Sequence, residues 1–313
     1  MELLSFRQGE ETRLGVRTSH GIIDVAAALQ EYPSKCQIAT DMMAVIQGGK
    51  QTLRALEAYI ADLLESARFK LELSAVEKGE RASDYLKSES GLTWEPAVTS
   101  PQKIICVGLN YRRHAEETGS PIPQAPILFN KFNNALTGHR SPIVIPGATS
   151  KLDYEAELAI VIGRQARFVQ REYALDYVFG YTIANDLSAR DLQMRTSQWM
   201  LGKVCDGFAP LGPWIVTADA VGDPNALSIQ TFVNDEVRQH SNTADMIFYC
   251  DEIISYLSHH FTLLPGDVIL TGTPEGVVLG YPEDQQVYLK PGDEVKVRIE
   301  KLGELQNSFV EEL

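Results

Sequence analysis

Long apolar runs are missing from this 313-residue chain. No stretch approaches the ~20 residues that a membrane-spanning helix needs. The opening MELLSFRQGEETRL has no basic segment followed by an apolar one. A cytoplasmic location is the expectation, with no membrane partner. Cysteine is scarce: Cys36, Cys106, Cys205 and Cys250 lie far apart and form no C-x-x-C pair. That argues against a disulfide framework or a thiolate zinc site, and all four are expected as reduced core residues. Basic charge is in deficit, 28 Lys and Arg against 42 Asp and Glu for a net −14. A phosphate backbone would be repelled, so nucleic acid is not expected as a partner. Neither a dinucleotide-binding glycine fingerprint after a strand nor a P-loop occurs, so no nucleotide cofactor is indicated. Repeats, heptads and low-complexity tracts are also lacking.

What is present has ordinary globular composition, 44% apolar and 22% charged. The length favours a large domain carrying a smaller one. Residues 2–25 alternate polar and apolar around Gly15 and Gly21, which predicts strands in one or two hairpins. From Thr52 to Phe69, Leu53, Leu56, Ile60, Leu63 and Leu64 recur at helical spacing. The stretch 87–103 is rich in Ser, Thr, Gly and Pro, which places a boundary there. An accessory α+β unit over 1–95 and a second domain over 101–313 are therefore expected. The second is strand-rich: KIICVGL, APILF, SPIVIP, ELAIVIG, YVFGYTIAND, GPWIVT, LSIQTFVND, GDVILTGTP and DEVKVRIE are short apolar runs separated by Gly and Pro. One helix is predicted over Asp245–His259. The fold class is α+β, mainly β.

Within LDYEAELAIVIG (152–163), Glu155 and Glu157 stand two residues apart in a strand and so share a face. Two carboxylates entering an element apolar on both sides face a desolvation cost of several kcal/mol unless a cation compensates them. The bland alternative is a strand end that projects into solvent. A third carboxylate, Asp186, ends YVFGYTIAND just before LSARDLQ, where it also suits a helix N-cap. Three carboxylates with no His or Cys partner form a hard oxygen set suited to Mg²⁺ or Mn²⁺, or less tightly Ca²⁺, rather than zinc.

His114 and Glu117 stand three apart, so on a helical turn they share a face and can hydrogen-bond. A His oriented by Glu suits proton transfer near neutral pH. The same stretch, with Arg112, Arg113 and Glu116, also reads as a solvated turn. Lys203 either faces an anion in a site or snorkels at the surface. Arg190 either holds a carboxylate or pairs with Asp191. Thr273 follows Gly272 in a turn that binds an anion or is turn chemistry alone. His20, His139, His240, His259 and His260 show no ligand spacing and carry no assigned role.

Five motifs occur in the order seen in a known family: VGLNYRRHAEE (107–117), DYEAELAIVIG (153–163), GYTIANDLSARDLQ (180–193), GKVCDGFAPLGP (202–213) and GDVILTGTPEGV (266–277). Over residues 101 to 311 the chain resembles the fumarylacetoacetate hydrolase superfamily, in its acylpyruvate hydrolase and oxaloacetate decarboxylase-like branch. The family often reads GKSFD where this chain has GKVCD, and KP where Lys131 precedes Phe132. The resemblance implies a mixed β-roll catalytic domain, commonly in homodimers. It implies Glu155, Glu157 and Asp186 as ligands of one Mg²⁺ or Mn²⁺ per subunit. It also implies His114, Glu117 and Lys203 as catalytic residues, and Arg190, Gln193 and Thr273 as substrate-binding residues. The expected activity is metal-dependent cleavage of a carbon–carbon bond in a small acylpyruvate-like 2-oxo acid. Decarboxylation of oxaloacetate, isomerisation or tautomerisation of a 2-hydroxy or 2-oxo diacid, and a non-catalytic interaction protein on the same fold are the alternatives.

Overall fold

The computed structural model describes residues 1–77 and 83–312. All nine apolar runs of the second half contain strands, as their β-branched composition dictates. The main sheet runs in spatial order Leu86–Lys87, Gly21–Asp24, Glu11–Thr18, Glu2–Gln8, Ala209–Thr217, Val178–Asn185, Ala156–Ile162, Val268–Leu270, Ile104–Gly108, Ile127–Lys131. The N-terminal hairpins therefore extend the same sheet as the second half, through the pairs Glu2↔Val216 and Leu3↔Ile215. Neighbours along this path are antiparallel except Val268–Leu270 beside Ile104–Gly108. A second, five-stranded sheet is ordered Glu236–Asn242, Ser228–Val233, Glu294–Ile299, Gly303–Glu311, Ile143–Ile145. The fold is mixed and mostly sheet, as expected.

The strand Ala156–Ile162 is buried along its whole length. Leu158, Ile160 and Ile162 pack with Ile229 and Val297 of the second sheet. Ala159 and Val161 join the opposite core with Val45, Ile46, Leu56, Ile60 and Leu63 of the N-terminal helix. Being covered on both faces explains its unbroken apolar character. Its charged residues lie at the N-terminal end, with Glu155 just before the strand and Glu157 at its second position.

Three expectations need correction. The helix predicted over 52–69 runs from Met42 to Glu65, capped by Asp41, with a break at Gly49, and Ser66 separates it from Ala67–Glu77. The helix expected from Asp245 begins at Cys250. Backbone conformation explains the delay: Met246 (ψ 143°) and Tyr249 (ψ 165°) are extended, while Asn110 holds the stretch between them by accepting from Ile247 N at 2.7 Å on its backbone O and from Phe248 N at 2.8 Å on Oδ1. Cys106 and Cys250 are buried as expected, but Cys36 is exposed and Cys205 only half-buried; all four are free thiols.

Candidate metal centre and acid–base dyad

The register Ala156↔Asn185 aligns the ends of two central strands. Asn185 Oδ1 accepts from Glu155 N at 3.0 Å, and Asp186 N donates to Glu155 O at 2.9 Å. This stitching places Glu155 and Asp186 side by side. Glu157, one step into the strand, accepts from Gly272 N at 2.6 Å. Glu155, Glu157 and Asp186 are all buried, and each offers an oxygen within 4.8 Å of the others. The structure thus brings together the three carboxylates picked out in the sequence.

Cations surround them. Lys203 Nζ bridges Glu155 at 2.7 Å and Asp186 at 2.8 Å. Lys131 Nζ sits 2.6 Å from Asp186, with both side chains fully buried. Arg190 meets Glu155 at 2.7 Å and Asp153, also buried, at 2.8 Å. Burial disfavours the charged forms of Lys203 and Arg190, but Asp186 and Glu155 hold the former up and Asp153 and Glu155 the latter, so both stay protonated. Burial pushes the Glu155 carboxyl up, but Lys203 and Arg190 outweigh it and hold it well below the usual range. Glu157 behaves oppositely: burial, Asp186 and Glu155 drive it well above the usual range. Four carboxylates face three cations here, and among the described residues Glu157 is the one without an ion-pair partner. Uncompensated negative charge among hard oxygen donors, with no sulfur or imidazole ligand, fits a divalent cation of the Mg²⁺ or Mn²⁺ kind.

The dyad lies on the short helix Arg112–Glu117. His114 Nδ1 and Glu117 Oε1 are 2.7 Å apart, and Glu117 Oε2 accepts from Gly276 N at 2.9 Å. His114 is 7% exposed, so the solvated-turn reading does not describe it. With Nδ1 engaged, Nε2 is the nitrogen left for proton transfer. A cavity of about 610 Å³ is lined by His114 and Glu117 together with Glu155, Glu157 and Lys203.

Arg190, Gln193 and Thr273 line the same cavity. Arg190 does not pair with Asp191, which instead accepts from Thr149 Oγ1 and Ser150 N. Arg190 donates to Gln193 Oε1 at 3.0 Å, leaving the Gln193 amide N–H groups free to donate. Gln239 Nε2 donates to Thr273 Oγ1 at 2.9 Å, so the Thr273 hydroxyl keeps its own proton to donate. Four residues here carried no role in the sequence reading: Lys131, Asp153, Gln239 and Trp199. Lys131 was visible only as half of a K–F pair. Asp153 adjoined the carboxylate strand. Trp199 lines the cavity and packs edge-on against Phe129, whose face lies 4.9 Å from Lys203 Nζ.

A buried carboxylate cluster and a His–Glu pair lining one cavity suit metal-assisted acid–base catalysis. Residues 103–310 match the fumarylacetoacetate (FAA) hydrolase C-terminal family, and the chain belongs to that family. It is 44% identical over 262 residues, 82% of each chain, to a Xenopus laevis protein named oxaloacetate tautomerase fahd2, mitochondrial. A fumarylacetoacetate hydrolase from the psychrophile Exiguobacterium antarcticum superposes with a TM-score of 0.79 at 34% identity, covering both chains fully. Maleylpyruvate hydrolase from Sphingobium sp. SYK-6, solved with manganese(II) and pyruvate, superposes with a TM-score of 0.73 at 31% identity and equal coverage. Among the described residues no helix is long and apolar enough to cross a membrane.

Proposed function

We propose that this enzyme interconverts the enol and keto forms of oxaloacetate, or of a close 2-oxo diacid, at a divalent cation held by Glu155, Glu157 and Asp186. The observation that carries the reading is one acid–base pair, His114–Glu117, lining the same cavity as Glu155 and Glu157. Relatives named oxaloacetate tautomerase support it. When bound, Mg²⁺ or Mn²⁺ supplies positive charge to the 2-oxo carboxylate end of the substrate. The protein does the rest. Lys203 and Arg190 hold Glu155 ionised, and the free donors of Gln193 and Thr273 orient the substrate's oxygens. In the enol-to-keto direction a proton leaves the C2 hydroxyl and another joins C3. His114 Nε2 delivers the proton that joins C3, with Glu117 fixing the ring, and the C2 hydroxyl proton is released to solvent. Catalysis needs no attacking water.

A second reading is carbon–carbon hydrolysis of an acylpyruvate-like acid, with His114 activating water. The manganese- and pyruvate-containing hydrolase neighbour favours it, and so does a cavity with an aromatic wall at Trp199 and Phe129. Either reading takes a homodimer as the working unit. Exposed apolar side chains support this: Leu128 on the edge strand Ile127–Lys131, and Met200 and Leu201 on the adjoining helix Met200–Lys203. Sedimentation velocity tests the dimer.

The activity is tested by following enol-oxaloacetate absorbance with Mn²⁺ and with chelator, beside pyruvate release from an acylpyruvate. Metal-dependent loss of the enol with oxaloacetate recovered intact, slowed ~10²–10⁴-fold in His114→Ala, is expected. Faster turnover of the acylpyruvate would favour hydrolysis. Release of carbon dioxide from oxaloacetate would mark a decarboxylase, and full activity of His114→Ala would remove the dyad from either mechanism.

A further inference from the structure

The Glu117 carboxylate is confined on three sides. Oε1 meets His114, and Oε2 accepts from Gly276 N. The third side is Gly280, at the end of the 3₁₀ turn Val278–Gly280. A Cβ added at Gly280 would stand 2.5 Å from both Cδ and Oε2 of Glu117 and 2.9 Å from Oε1. Backbone conformation does not demand glycine here: Gly276 has a φ of 96°, whereas Gly280 lies outside the left-handed region. The open space beside its Cα serves the carboxylate.

The turn cannot readily retreat. Asp153 accepts from Val278 N at 2.9 Å and from Leu279 N at 3.0 Å, and Tyr154 Oη donates to Gly276 O at 3.0 Å. Asp153 also binds Arg190, so the 276–280 segment is tied to the elements that carry Glu155. Glu117, by contrast, is a flexible side chain with 20% of it exposed. When a methyl group is introduced, the side chain is the part that moves.

We infer that Gly280 is a positioning residue: its missing side chain lets Glu117 bind His114 and the Gly276 N–H at once, so the turn Val278–Gly280 acts as a clamp on the dyad. This rests on the His114–Glu117 reading above. Gly280→Ala displaces the carboxylate, the imidazole loses its orienting partner, and the fold and the carboxylate cluster stay as they are.

The test uses the full-length chain loaded with Mn²⁺ and compares Gly280→Ala, Glu117→Ala, the double variant and His114→Ala on enol-oxaloacetate. Gly280→Ala should lower kcat by about 10- to 100-fold, within what an acid–base group contributes, with KM and Mn²⁺ affinity nearly unchanged. In the Glu117→Ala background the same change should cost less than about twofold, because the two substitutions remove one interaction. Independently of turnover, in metal-free protein the His114 Nδ1–H proton resonance should be present in the wild type and should vanish in Gly280→Ala and in Glu117→Ala alike. Retention of that resonance with wild-type kcat would overturn the inference. So would an equal loss in both backgrounds. If Gly280→Ala fails to fold, the double variant still decides: folding like Glu117→Ala locates the clash at Glu117, and failing to fold refutes it. Full turnover by His114→Ala would sink the catalytic reading, whereas the resonance alone tests the clamp.

Discussion

Lys131 and Asp186 form an ion pair at 2.6 Å in which neither side chain reaches solvent. Lys131 also donates to the backbone oxygen of Leu187 at 3.1 Å, on the residue that follows Asp186, and to that of Lys203. One ammonium thereby fixes a carboxylate of the proposed metal set and the backbone of the lysine opposite it. Removing Lys131 leaves the buried Asp186 with Lys203 alone, which Glu155 shares, so four carboxylates would face two cations. Lys131→Met should therefore cost about 3 kcal/mol in metal-free protein, measured by urea denaturation. A loss below about 1 kcal/mol would match an exposed pair and contradict this role.

Glu157 is the carboxylate with excess charge around it, and its substitution should separate stability from metal affinity. In Glu157→Gln the amide oxygen can still accept from Gly272 N while the uncompensated charge disappears. Metal-free protein should become more stable. Mn²⁺ affinity should fall by more than the roughly 10- to 100-fold that loss of an outer partner costs. Calorimetry on the two forms checks both signs; a variant that lost stability and kept its affinity would show that Glu157 is held by the fold for another reason.

His139 gives a pH dependence away from the site. Burial, with a smaller contribution from Arg140, pulls its imidazole down to about 4. Gln306 N donates to Nδ1 at 3.1 Å, and protonation there would abolish that bond. The unfolded chain binds the proton near the ordinary 6.5. The native state is thus favoured fully above pH 6.5 and loses stability as pH falls toward 4, by roughly 3 kcal/mol at most. Denaturation at several pH values should show this slope in the wild type and its loss in His139→Gln. Parallel curves would contradict it.

The fold was legible where composition dictates burial. LDYEAELAIVIG is apolar on both sides because it is covered on both, and the same run carried Glu155 and Glu157 two apart in plain view. Asp186 could be proposed from its strand, but its approach to Glu155 depends on the register Ala156↔Asn185, which no local pattern encodes. Long-range partners were illegible for the same reason. Arg190 has Asp191 as its chain neighbour yet binds Asp153, 37 residues away. Lys131 reads as the polar end of a strand, and its burial follows only from the packing of Asp186 and Lys203 around it. Gly280 looks like turn chemistry until Glu117, from a distant helix, occupies the space beside it. The start of the helix Cys250–His260 was illegible because the extended backbone before it is held against Asn110, 138 residues away.

The most direct test of the account is an anomalous difference map from crystals of the wild-type protein grown with Mn²⁺. A single strong peak per chain, coordinated by oxygens of Glu155, Glu157 and Asp186, is predicted. A map with no peak there, or with manganese bound only at another cluster, would contradict it.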